Sequence, residues 1–233
     1  TFLFKPGESD MKHKARRAEF LRQRYVEHAS PAVLELIMDE AAARDQTHLA
    51  RHAAEAIVET FTETDYALAA RMLLADQAIA NENFDKAIPH LDVIRKVFAA
   101  SPQAGHALLK LGNIYVQKGE YEKADEAFRE VLGVREWRGS LYPAAVYGRG
   151  EAARRQGKYR EASAYYERIY VLYAGYTDWT AKAYVQRARC LMRLRQYPKA
   201  QETLNEMLTD QMLAEHPQAG EARELLDRIE RRL

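Results

Sequence analysis

Apolar positions recur at helical spacing in short blocks along this chain, and each block stops at two or three polar residues. The blocks pair up. Pro31–Arg44 and Thr47–Thr60 are predicted as helices around Asp45-Gln46, and Asp65–Ala80 and Phe84–Phe98 around Asn81-Glu82-Asn83. A third pair starts at Ser101-Pro102, turns at Lys118-Gly119-Glu120 and ends near Leu132. The fourth runs from about Pro143 to Gln156 and from Tyr159 to about Ala174; the fifth from Asp178 to Leu194 and from Tyr197 to Met212. Ser30-Pro31 and Ser101-Pro102 are helix starts, because serine caps the free N–H groups and proline lacks the one that would go unused. Pro89 falls in the second turn of its predicted helix, so that helix either starts later or bends. A further helix, Ser9–His28, carries Lys12, Lys14, Arg16, Arg17, Arg22 and Arg24 on one face, and a last helix, Gln218–Leu233, is rich in Glu and Arg.

Aligned on their turns, the pairs begin at Pro31, Leu68, Gly105, Pro143 and Ala181, with steps of 37, 37, 38 and 38 residues. A near-constant step marks an array of one repeated unit. The eighth positions are Met38, Ala75, Gly112, Gly150 and Ala188, mostly small. The twentieth are all alanine: Ala50, Ala87, Ala124, Ala162 and Ala200. Small residues let two helices approach closely. The seventeenth positions are Thr47, Phe84, Tyr121, Tyr159 and Tyr197, placed to wedge the turn. Ala54, Leu91, Phe128, Tyr166 and Leu204 occupy the twenty-fourth and fill the core.

This code resembles the tetratricopeptide repeat, most closely through Leu111, Gly112, Tyr115, Gly119, Tyr121, Ala124 and Phe128. The fourth unit matches through Gly150, Gly157, Tyr159, Ala162 and Tyr166; the fifth keeps Tyr197-Pro198-Lys199-Ala200. The resemblance implies an all-α fold: a right-handed α-solenoid of about five helix-turn-helix repeats with capping helices at both ends. The expected division is a basic N-terminal segment at 1–29, repeats at 30–66, 67–103, 104–141, 142–179 and 180–216, and a C-terminal cap at 217–233. The family steps by about 34 residues. The longer step here resembles arrays of bacterial envelope and assembly scaffolds.

Composition narrows the class without naming a function. The 233 residues are 47% hydrophobic and 30% charged, as in a foldable chain. The net charge of +1 is divided unevenly: residues 1–27 carry +3, residues 28–104 carry −6 and residues 105–233 carry +4. The single cysteine, Cys190, excludes an internal disulfide and fits a reducing compartment. A cytoplasmic setting is favoured, with membrane-anchored or periplasmic ones left open. No run approaches the length of a membrane helix. The chain begins Thr1-Phe2-Leu3 without methionine, so an anchoring segment upstream belongs to the membrane-adaptor reading.

The family resemblance also implies that the first helix of each pair lines a concave groove. The residues assigned to partner binding on that ground are Leu109, Asn113, Val116, Tyr147, Arg154, Arg155, Lys182, Arg189 and Arg193. Glu35, Asp39 and Asp76 face the same way near the start, so the groove would pass from acidic to basic and hold a protein or peptide of opposite polarity. The carboxylate clamp of some family members is not expected. Asn113 and Lys182 match it, but Leu109, Gly148 and Gln186 replace its other polar residues. Trp137, Tyr173, Tyr176 and Trp179 cluster near the later links, either packing them or anchoring an interface.

Catalytic signatures do not appear in the sequence. His48 and His52 share a helix face, but Leu49 stands where a zinc protease needs glutamate. There is no phosphate loop, dinucleotide fingerprint or nucleophile elbow. The expectation is a non-enzymatic protein-interaction scaffold without cofactor, metal or small-molecule substrate. Self-association stays open. The alternatives are a membrane-associated adaptor or assembly factor and, less favoured, an RNA-binding helical repeat. The last would need fixed polar readers where Met72, Leu109 and Val185 stand.

Overall fold

The turns show the repeat at its most regular. The computed structural model describes residues 29–232, so the predicted helix Ser9–His28 lies outside the described residues. In all five turns the fifteenth position takes left-handed backbone: Asp45 (φ 56°), Glu82 (55°), Gly119 (76°), Gly157 (76°) and Arg195 (58°). The next residue donates its N–H back five positions, from Gln46 to Ala41, Asn83 to Ala78, Glu120 to Tyr115, Lys158 to Ala153 and Gln196 to Leu191, at 2.8–2.9 Å. The left-handed residue itself donates to the twelfth position at 2.9–3.3 Å. This double closure satisfies carbonyls that a helix end leaves free and reverses the chain in two residues. The second helix then starts at once, with the seventeenth position as its first residue.

All regular structure among the described residues is helical. A first compact unit ends at Ala99. It contains α1 (Pro31–Ala43), α2 (Thr47–Thr60), α3 (Asp65–Ala80) and α4 (Phe84–Val97). Its core gathers Leu34, Met38, Ala53, Ala54, Ile57, Ala67, Ala70 and Leu74. Asn83 caps α4, its side chain accepting from the Lys86 N–H at 3.3 Å. The helix does not start later to avoid Pro89. It begins at Phe84 and runs through the proline, held by buried Ala87, Leu91 and Ile94.

The second unit begins at Ala100. It contains α5 (Pro102–Lys118), α6 (Tyr121–Gly133), a 3-10 turn (Arg135–Trp137), α7 (Leu141–Arg155), α8 (Tyr159–Leu172), α9 (Thr177–Arg193), α10 (Tyr197–Thr209), α11 (Gln211–Ala214) and α12 (Gln218–Glu230). Each helix packs on the next, and α5 and α9 also pack on α7. The small-residue code has a direct physical meaning here. A Cβ on Gly112 would meet the Phe128 ring at 2.5 Å, and one on Gly150 would meet Tyr166 at 2.7 Å. The eighth position is therefore open for the aromatic at the twenty-fourth. All five alanines at the twentieth position are fully buried.

Three boundaries differ from expectation. The fourth pair starts at Leu141, because Pro143 falls within the first turn, where its missing N–H removes no bond. The second helix of the fifth pair stops at Thr209. Asp210 turns its carboxylate onto the N–H groups of Met212 (2.9 Å) and Leu213 (3.0 Å) and starts α11 instead. The cap ends at Glu230, short of the expected Leu233.

Candidate functional site

The described residues form two clefts of opposite charge, one in each unit. In the first unit, α1, the turn after it, the start of α2 and α3 border about 680 Å³. Asp39, Asp45 and Asp76 line this space beside Met38 and Leu73, and no lysine or arginine does. In the second unit, α7, α9 and α12 converge on about 710 Å³. Six arginines line that cleft: Arg154 from α7, Arg189 and Arg193 from α9, and Arg228, Arg231 and Arg232 from α12 and the residues after it. No aspartate or glutamate lines it. Concentrating one sign in a concave space focuses the field and draws in counter-charge.

The local sequence explains how these guanidiniums are held. Arg154 donates through Nε (3.0 Å) and Nη2 (2.7 Å) to the two oxygens of Glu151, one turn back on α7. The Tyr166 hydroxyl donates to the same carboxylate at 2.6 Å. Burial alone would raise the pKa of Glu151, but these hydrogen bonds and the charges of Arg154 and Arg155 bring it below the ordinary value. The hydrogen bonds that Arg154 donates to Glu151 in turn push the pKa of Arg154 up. Arg189 is ion-paired to Glu221 of α12, and Arg228 sits 3.9 Å from Glu224. Arg193 lies 5.9 Å from the Tyr159 ring centre, and Arg232 lies 6.0 Å from that of Tyr197. Among the described residues no carboxylate pairs with Arg193, Arg231 or Arg232. Cys190 lies in the wall of the cleft, almost wholly buried. Burial pushes its thiol up to about 11.

The sequence-assigned residues divide accordingly. Arg154, Arg189 and Arg193 come together in the basic cleft, while Arg155 is exposed outside it. Tyr147 is half-buried between the rings of Tyr166 (5.4 Å) and Trp179 (5.3 Å), and burial raises its pKa. The Lys182 ammonium sits 5.0 Å from the centre of the Trp179 ring. Asn113 is exposed on α5 and Leu109 is half-buried; neither lines either cleft. Val116 departs from the assignment, being only 5% exposed. Helix α5 packs on both α6 and α7, which leaves it a narrower free face than a single helix pair would. Val185 on α9 is fully buried in the same manner. Of the link aromatics, Trp137 is buried against Gly105, whereas Tyr176 stays exposed.

The reading from sequence missed Arg228, Arg231 and Arg232. Their spacing of three and four was a visible signal of one helix face. Helix α12 buries Ala219, Ala222, Leu225 and Ile229 and keeps its charged face exposed, as expected of an end cap, but its arginines also line the cleft with those of α9.

Among the described residues no three His, Cys, Asp or Glu side chains group as a metal site. No described helix is long and apolar enough to cross a membrane.

Comparison with known proteins bears on the fold. Residues 72–140 and 109–177 match the sequence model of a family described as tetratricopeptide repeat. A comparison with curated protein sequences gave no match. Among solved structures, MamA protein is similar, with a TM-score of 0.60 at 15% identity over 78% of this chain and 95% of that one. A signal transduction ATPase with numerous domains and a tetratricopeptide repeat sensor, from Pyrococcus horikoshii, gives 0.69 at 19% identity over 92% of this chain. The alignment spans only 36% of that ATPase chain. Nearly identical repeats of a kinesin light chain from Podosopora anserina give 0.59 at 17% identity, over 90% of this chain and 98% of that one. At these identities the likeness is one of fold.

Proposed function

We propose that this chain, whose residues 72–177 match the tetratricopeptide-repeat model and whose fold is that of tetratricopeptide-repeat proteins, is a non-catalytic scaffold whose basic cleft receives an acidic segment of a partner protein. Arrays of this family serve in general as scaffolds for protein–protein interaction. One observation carries the finer reading: six arginines, from three helices and the residues just after the last of them, line one concave space that no carboxylate lines. Arginines do not lose their charge near neutral pH, so such a space stays electropositive until an anion enters it. The acidic cleft of the first unit offers a second contact of opposite sign. One structural neighbour carries its tetratricopeptide repeats as a sensor, which is compatible with a binding role.

The test uses pools of short degenerate peptides carrying an acidic, neutral or basic run, with binding read by fluorescence anisotropy. The acidic pool is expected to bind most tightly and to weaken as salt rises. Reversing Arg189 and Arg193 to glutamate is expected to remove that preference while circular dichroism stays unchanged. Equal binding of the acidic pool by the reversed variant would sink the cleft as the site. Single-stranded RNA that displaces the acidic pool at equal concentration would sink the peptide reading in favour of nucleic acid.

A further inference from the structure

We infer that the basic cleft of the second unit is built for a phosphoryl dianion, presented as a phosphorylated side chain of the partner segment. The inference rests on the reading of that cleft as the peptide site and names the chemistry that it selects.

The charge balance leads there. Three of the six arginines have carboxylates of their own: Glu151 for Arg154, Glu221 for Arg189 and Glu224 for Arg228. None of these carboxylates is among the residues that line the cleft. Arg193, Arg231 and Arg232 have no such partner among the described residues, yet they line the same space. That leaves about three positive charges in one cleft that no described carboxylate answers. A single carboxylate answers one of them; a phosphorylated side chain brings a charge of roughly −1.5 to −2 and three strong acceptor oxygens.

The residue type points the same way. No lysine lines the cleft, although the chain has 11 lysines against 24 arginines. A planar guanidinium grips phosphate through two parallel N–H bonds, which an ammonium does not do. Preorganisation adds to this. Arg154 is fixed by two hydrogen bonds to Glu151, and Arg232 donates to the Tyr197 hydroxyl at 3.2 Å. Arg193 and Arg232 rest against tyrosine rings, so little freedom is lost on binding. The space of about 710 Å³ is ample for a phosphorylated side chain and its flanking backbone.

The experiment compares three degenerate peptide pools, fixed at the centre as phosphoserine, glutamate or serine within the same acidic context, by anisotropy at one ionic strength. The phosphoserine pool is expected to bind about tenfold tighter than the glutamate pool. Arg193→Lys with Arg231→Lys keeps the charge but removes two forks. That variant is expected to retain binding of the glutamate pool and lose most of the phosphoserine preference. Equal affinities for the phosphoserine and glutamate pools overturn this inference and leave the acidic-segment reading standing. Failure of every pool to bind overturns both. An unchanged preference in the double lysine variant, with its thermal midpoint preserved, also overturns the assignment to these arginines.

Discussion

The ring of Phe128 occupies the space that a side chain at Gly148 would need. Phe128 belongs to the third helix pair and Gly148 to the first helix of the fourth. A Cβ on Gly148 would overlap Cζ of the ring, and one on Gly112 of the same pair as Phe128 would also meet Cε1 and Cζ. Two successive repeats are thus held together by one aromatic packed against two glycines. Gly148→Ala is expected to cost about 1–3 kcal/mol by overpacking, read by chemical denaturation. Phe128→Leu in the same background should recover part of that loss. Unchanged stability of Gly148→Ala would mean that the two helices are not so closely packed.

The five turns share one backbone but not one residue. Gly119 and Gly157 have open space around their Cα, so alanine there meets no neighbour and is strained only by its positive φ. Gly119→Ala is expected to lose about 1 kcal/mol. In the opposite sense, Glu82→Gly and Arg195→Gly relieve a left-handed non-glycine residue and should gain about 0.5 kcal/mol after the entropy of glycine is subtracted. Thermal midpoints shifting in opposite directions would check both at once.

The pH dependence should show Glu151. Its folded pKa lies below the ordinary 4.5, so unfolding takes up a proton as the pH falls between those values. Its contribution is fully present above about pH 5.5 and is lost on acidification through the folded pKa. Glu151→Gln is expected to lower stability by about 2 kcal/mol at neutral pH, because Arg154 and the Tyr166 hydroxyl lose a charged acceptor. The gap between variant and wild type should close toward pH 3. A gap that stays constant from pH 7 to pH 3 would remove the carboxylate from this account.

Cys190 offers a probe of opening. With its thiol raised to about 11 and 1% exposed, it should resist iodoacetamide at pH 8 in the native state. In denaturant it should react as an ordinary thiol. Rapid native labelling would show that the wall of the basic cleft opens far below the global unfolding free energy.

Much of this molecule can be read without coordinates, and the reason lies in its construction. Each unit needs only its neighbours, so one short code of small and large positions is written repeatedly along the chain. The period, the paired helices, the alanine at every twentieth position and the core-filling residue at the twenty-fourth follow from that local repetition. So does the opposite charge of the early and late repeats. The sequence also placed Arg154, Arg189 and Arg193 on helix faces that meet.

The tertiary structure decided what depends on distant segments or on backbone geometry. Nothing in Asp45, Glu82 or Arg195 marks a left-handed turn, because the two bonds that close each turn impose it whatever the side chain. Val116 and Val185 lie on helix faces that read as free, yet are buried because α5 and α9 are packed on more than one side. The second half of the basic cleft comes from Arg228, Arg231 and Arg232, some 35 residues beyond the arginines of α9. The seating of buried Leu225 and Ile229 against the fifth pair fixes that helix, so that its exposed arginines line the same cleft as those of α9.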